Sequence, residues 1–156
     1  DGASWPFSAP PATVFSWVSF ACSLATAALF FWLGRTKGWR YRASWLIVPQ
    51  LAAAAGFIWM GVTHSLAAML LGSLLVGANL GVAFFAAVYY CVADPAHKHR
   101  RAAINEAAVG FGGMLGSFLF GALSGRYRLE FPFLWFPVFY APAFALQVWL
   151  LRPRRG

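Results

Sequence analysis

Residues 89–125 read YYCVADPAHKHRRAAINEAAVGFGGMLGSFLFGALSG, and this stretch decides the fold class. An apolar segment ends in a short loop carrying His97, Lys98, His99, Arg100 and Arg101. A second apolar segment follows at once and is interrupted by glycines at about every fourth residue, the spacing of one helix face. Charges cannot enter hydrocarbon cheaply, whereas small residues let helix backbones approach one another inside it. The stretch therefore reads as two membrane-spanning helices joined by a basic loop, and the chain as an all-α, polytopic integral membrane protein.

The composition of the remaining chain agrees. Hydrophobic residues make up 61% of the 156 residues and charged ones 10%, against roughly 25% charged in soluble domains. So few charges cannot cover the apolar surface of a soluble fold, and lipid must do so. The net charge of +8 falls in short clusters between apolar runs. That pattern suits phosphate headgroups, and no soluble basic domain is present to bind nucleic acid. Cys22 and Cys91 lie inside apolar runs and read as small buried hydrophobes. The chain starts at Asp1 without an initiating Met or a basic n-region, so we expect no signal peptide and a processed product or the ordered part of something longer.

Five apolar segments approach the roughly twenty residues needed to cross the hydrocarbon. The first eleven residues, rich in Pro, Gly and Ser, form an external loop whose Trp5 and Phe7 suit an interface. The spans are expected at about 12–33, 45–62, 66–93, 107–125 and 131–151. GRTKGWRYR separates the first two, a tiny turn at Thr63, His64 and Ser65 the next pair, and RYRLE the last pair. Arg35, Lys37, Arg40, Arg42, Lys98, Arg100, Arg101, Arg152, Arg154 and Arg155 fall on one side of this alternation. The other side holds Arg126 and Arg128. The positive-inside rule then assigns the basic loops and the C-terminus to the cytoplasm of a bacterial-type inner membrane, and Asp1 to the external side.

Within the spans, Gly77 and Gly81, Gly112 and Gly116, and Gly121 and Gly125 form three GxxxG pairs that predict close helix packing. Pro132, Pro137 and Pro142 recur every five residues and predict a bent last helix. Polar side chains are few. Asn79 lies mid-span and is the first candidate for a substrate pathway, with an interhelical hydrogen bond as its structural alternative. Gln50, beside Pro49, and Tyr89 are the other pathway candidates, and Tyr89 and Tyr90 also suit interface anchoring. Asn105 and Glu106 are placed at the start of the fourth helix, where a carboxylate complements the dipole; Glu106 is also within sequence reach of Arg100 or Arg101.

No Asp, Glu, Lys or Arg sits at the centre of a span, which argues against a proton relay within this chain. His64 is isolated, and His97 and His99 flank Lys98 in a basic loop with no third ligand nearby in sequence, so no metal site is expected. No phosphate-cradling loop and no nucleophile–base arrangement occurs. We expect neither catalysis nor a dedicated cofactor, although membrane lipids should bind.

The segment ADPAHKHRRAAINEAAVGFGGMLGSFLFG, residues 93–121, together with the basic GRTKGWRYR loop, resembles the second half of a major facilitator superfamily transporter. It is similar to the cytoplasmic loop between the tenth and eleventh helices and to the glycine-rich eleventh. GRTKGWRYR resembles a degenerate G-x-x-x-D-R-x-G-R-R loop, with Arg35 where that motif has its acidic residue and Phe31 where it has its first Gly. The five spans then correspond to helices eight to twelve, a partial half of that fold.

The resemblance implies alternating access by two halves rocking about a midplane site, the N-terminal half being the missing partner. It also leaves a second reading, a truncated relative serving as a non-transporting structural or assembly subunit among other membrane subunits. Some relatives of this superfamily are associated with photosynthetic antenna assembly. A pigment–protein complex is thus one host, and pigment one ligand, that the resemblance and the 19% aromatic content bring into view.

Overall fold

The computed structural model describes residues 10–63, 65–93, 95–127 and 131–151, and every regular element among them is an α-helix. The helices are α1 (Pro11–Arg35), α2 (Ser44–Val62), α3 (Leu66–Val92), α4 (Lys98–Arg126) and α5 (Phe131–Leu151). The first four are long and apolar enough to cross a membrane, while α5 carries a shorter apolar stretch, Phe133–Trp149. Among the described residues the protein is thus an all-helical membrane protein with four helices of spanning length, and α5 covers the 21 residues of the fifth apolar segment. Trp5, Phe7, His64, Asp94, Arg128, Arg152, Arg154 and Arg155 lie outside the described residues.

Local sequence explains most boundaries. Pro11 opens α1 at its first turn, where the missing N–H costs nothing and φ is already helical. The α4 boundary departs from expectation. The helix was expected from about residue 107 but starts at Lys98, so Lys98, Arg100 and Arg101 lie on its first turn rather than in a loop. Lys, Arg, Ala and Glu are good helix formers, and nothing after Pro95 breaks the run. Asn105 and Glu106 consequently lie two turns inside α4, beyond reach of its N-terminal dipole. Glu106 is exposed and makes no ion pair among the described residues; Arg100 and Arg101 are six and five residues earlier, off its face of the helix. Helix α5 continues through Pro137 and Pro142, as α2 does through Pro49. Pro132 is the second residue of α5, where backbone N–H groups lack intrahelical partners in any case.

Helix α3 is the hub, flanked by α1 on one side and α2 on the other; α5 packs on α2, and α4 touches α3 and α5 sparingly. The α1–α3 contact pairs Cys22 with Gly77, Thr26 with Gly81 and Phe30 with Phe85, so these helices run parallel. Across the other face Gly56 meets Gly72, and the short connection from Val62 to Leu66 makes α2 antiparallel to α3. Gly61 against Leu134 and Gln50 against Gln147 make α5 antiparallel to α2. These directions gather Arg35, Lys37, Arg40, Arg42, Lys98, Arg100 and Arg101 at one end of the bundle. Arg126 ends α4 at the other.

Both α3 interfaces depend on glycine. A Cβ on Gly77 would lie 2.8 Å from the Cys22 carbonyl carbon, and one on Gly81 would lie 2.8 Å from Leu29 Cβ. A Cβ on Gly56 or Gly72 would lie 2.9 Å from the carbonyl oxygen of the other. By contrast Gly110, Gly112, Gly113, Gly116, Gly121 and Gly125 meet nothing within 4 Å. We expect Gly81→Leu to lower stability in detergent by about 2 kcal/mol through overpacking. Gly113→Ala should leave it unchanged or raise it by about 0.5 kcal/mol. Thermal unfolding of the two variants beside the wild type measures both.

Candidate functional site

Toward the basic end lie two assemblies that combine polar groups with buried side chains. The outer one is built on the α1–α2 connection. Trp39 is buried, and its indole N–H donates to the carbonyl oxygens of Leu33 and Thr36, both at 3.0 Å. It thereby satisfies acceptors that the C-terminus of α1 would otherwise leave bare. Its ring enters a cluster with Leu33, Val82 and Ala86 and stands edge-on to Phe85 and Tyr89 at centroid distances of 5.5 and 5.0 Å. Tyr90 lies 5.4 Å from Tyr89.

This cluster folds the basic loop down onto α3. The Arg40 guanidinium carbon sits 4.9 Å from the centroid of Tyr89, a cation–π contact, while its Nε is buried without a hydrogen-bond partner. Tyr41 adopts φ of 58°, a left-handed conformation that costs a non-glycine residue about 1 kcal/mol. Its N–H donates to the Tyr90 hydroxyl at 3.0 Å, which holds it there. Arg35 turns outward, its guanidinium carbon 3.8 Å from the centroid of Phe31.

The inner assembly is amide-based. Gln50 on α2 is buried, and its Nε2 donates to Gln147 Oε1 on α5 at 2.7 Å. The Gln50 carbonyl oxygen is buried with no partner. Asn79 is half-buried, and its side chain makes no hydrogen bond among the described residues. Because Gly72 faces Gly56 across antiparallel helices, seven residues along each brings Asn79 level with Pro49, beside Gln50. Gln50, Gln147 and Asn79 therefore occupy one layer of the bundle.

The expected residues do not all converge. Tyr89 is ten residues beyond Asn79 along α3, roughly 15 Å at 1.5 Å per residue, and belongs to the Trp39 cluster instead. Gly77 and Gly81 face α1, away from Gln50. Cys22 and Cys91 are both free; the parallel α1–α3 register sets Cys91 level with Thr36, roughly 21 Å along α1 from Cys22. Trp39 and Gln147 were not singled out in the sequence. An indole among four basic residues looks like an interface anchor, and a glutamine near a chain end looks solvated. Gly56 and Gly61, like Gly72 and Gly77, are offset by five positions rather than four, so no within-helix motif marks the pair that closes the α2–α3 interface.

Trp39→Phe should cost about 1 kcal/mol, the worth of the lost indole hydrogen bond, and Trp39→Ala about 3–5 kcal/mol. Both variants should speed tryptic cleavage after Arg40 and Arg42, with Trp39→Ala the faster, as read by mass spectrometry of timed digests. The chain matches no family model, no curated protein and no solved structure.

Proposed function

We propose that this chain is the C-terminal part of a secondary transporter of the major facilitator type, moving a small solute across a bacterial-type inner membrane. The observation that carries this reading is the amide layer. The Gln50 carbonyl oxygen is buried and unpartnered beside Gln147, with Asn79 level on the neighbouring helix. A buried carbonyl left without a donor costs about 1–3 kcal/mol, and a polar solute or water offers that donor. The layer holds no charge, so recognition would run through hydrogen bonds to uncharged amides. The other wall of the pathway would come from the N-terminal half, and the basic end would face the cytoplasm under the positive-inside rule. The reading assigns no catalytic group.

Thermal-shift screening of the full protein against small polar solutes tests it. We expect a solute that raises the unfolding temperature in the wild type and loses that effect at least tenfold in apparent affinity in Gln50→Leu and Asn79→Ala. Undiminished response in both variants sinks the site assignment.

The second reading, a non-transporting subunit packed among other membrane proteins, draws on α4. This helix has no buried residue, and its glycines meet nothing within 4 Å. Under that reading Gly112→Leu with Gly116→Leu should release the chain from its complex, so retention of the partners on affinity purification defeats it. The intact mass from membranes separates the two. About 40 kDa or more, the size of about twelve spans with their loops, fits the carrier, and a mass near 17 kDa fits the subunit.

A further inference from the structure

An open groove runs along the outside of α1 where it crosses α3, lined by Cys22, Ser23, Thr26, Ala27, Phe30 and Phe31, with Leu80 from α3. Its wall is almost wholly apolar. Of its two hydroxyls, that of Thr26 lies 2.9 Å from the carbonyl oxygens of both Cys22 and Gly77 and is shared between them. Such a wall offers a polar solute few hydrogen-bonding groups.

Its upper end is different. Phe31, part of the groove wall, carries the Arg35 guanidinium 3.8 Å from its ring centroid. Arg35 lies one turn further along α1, at the basic end of the bundle and beside Lys37. The helix-terminal carbonyl of Leu33 is already served by the Trp39 indole, which leaves the exposed guanidinium for an outside anion. From Cys22 to Phe31 is nine residues, roughly 14 Å of helix. That is close to the roughly 15 Å depth of one leaflet's hydrocarbon.

We propose that this groove binds one anionic phospholipid of the leaflet at the basic end, its phosphate on Arg35 and one acyl chain along Ala27 and Thr26. Charge complementarity at the rim, an apolar wall below it and a length matched to one leaflet select this occupant. The proposal is independent of whether the protein transports.

Native mass spectrometry of the purified chain, equilibrated with equimolar phosphatidylglycerol and phosphatidylcholine, tests it. The wild type should retain one phosphatidylglycerol in preference to phosphatidylcholine. Arg35→Gln should lower that preference about fivefold, the effect of about 1 kcal/mol per basic group near an anionic surface. Ala27→Trp fills the groove on an exposed face and should reduce retention of phosphatidylglycerol by a similar factor without changing charge. Lys98→Gln removes the same charge from the same end but from α4, and should leave the preference within twofold. Equal losses in Arg35→Gln and Lys98→Gln would mean diffuse attraction and overturn the site. So would full retention in Ala27→Trp.

Discussion

The close approach of α3 to the backbones of α1 and α2 governs the rest of the structure. In lipid there is no hydrophobic drive between helices, so association depends on contact distance and on the few polar bonds that contact permits. Gly77 and Gly81 bring α3 against the Cys22–Thr26 turn of α1, and this proximity lets the Thr26 hydroxyl reach a carbonyl of α3. The parallel register that results sets Phe85, Tyr89 and Tyr90 beside the end of α1, where Trp39 can enter among them. On the opposite face, the Gly56–Gly72 contact fixes the antiparallel register that places Asn79 level with Gln50. A side chain at any of these four glycines would alter not one contact but the depth at which two helices meet.

The α1–α2 connection shows how a loop can be both basic and ordered. Arg35, Lys37, Arg40 and Arg42 fall within eight residues, a density that in isolation suggests a solvated, mobile segment. Trp39 prevents that by supplying an N–H where α1 lacks donors and a ring where α3 presents aromatic edges. Once Trp39 is seated, Arg40 is drawn over Tyr89 while Arg35 remains outward on Phe31. The basic segment thus divides its charges between a cation–π contact on α3 and an exposed one on α1.

Membrane character, helix count and the gathering of basic residues at one end were legible in the sequence, because length, apolarity and charge alternation are properties of single segments. The start of α4 was not. Charge marked residues 98–101 as a loop, but helix propensity and the absence of a breaker after Pro95 let the helix form through them. Among the three GxxxG pairs, Gly77 and Gly81 meet another helix, whereas Gly112, Gly116, Gly121 and Gly125 meet nothing within 4 Å. The motif states that a helix could pack closely; it carries no information about which helix is there to receive it. The same limit hid Gly56 with Gly72 and Gln50 with Gln147, since each exists only between elements. Asn79 and Gln50 were legible as rare polar residues in apolar runs, but their common depth required the register.

That limit gives α4 its significance. The helix carries six glycines between Gly110 and Gly125, each of which lowers intrinsic helix stability by about 1 kcal/mol relative to alanine. In α3 comparable glycines are offset by close contact with α1 and α2. In α4 the described residues provide no such contact, and lipid chains, unlike a helix backbone, gain little from a glycine strip. An exposed apolar face is ordinary in a membrane protein, but an exposed glycine-rich face forgoes side-chain packing as well as helix propensity. Under either proposed function, a further membrane helix seated on α4 would supply that contact. The two readings differ in whether that helix belongs to the same polypeptide, forming the second wall of a solute pathway, or to another subunit.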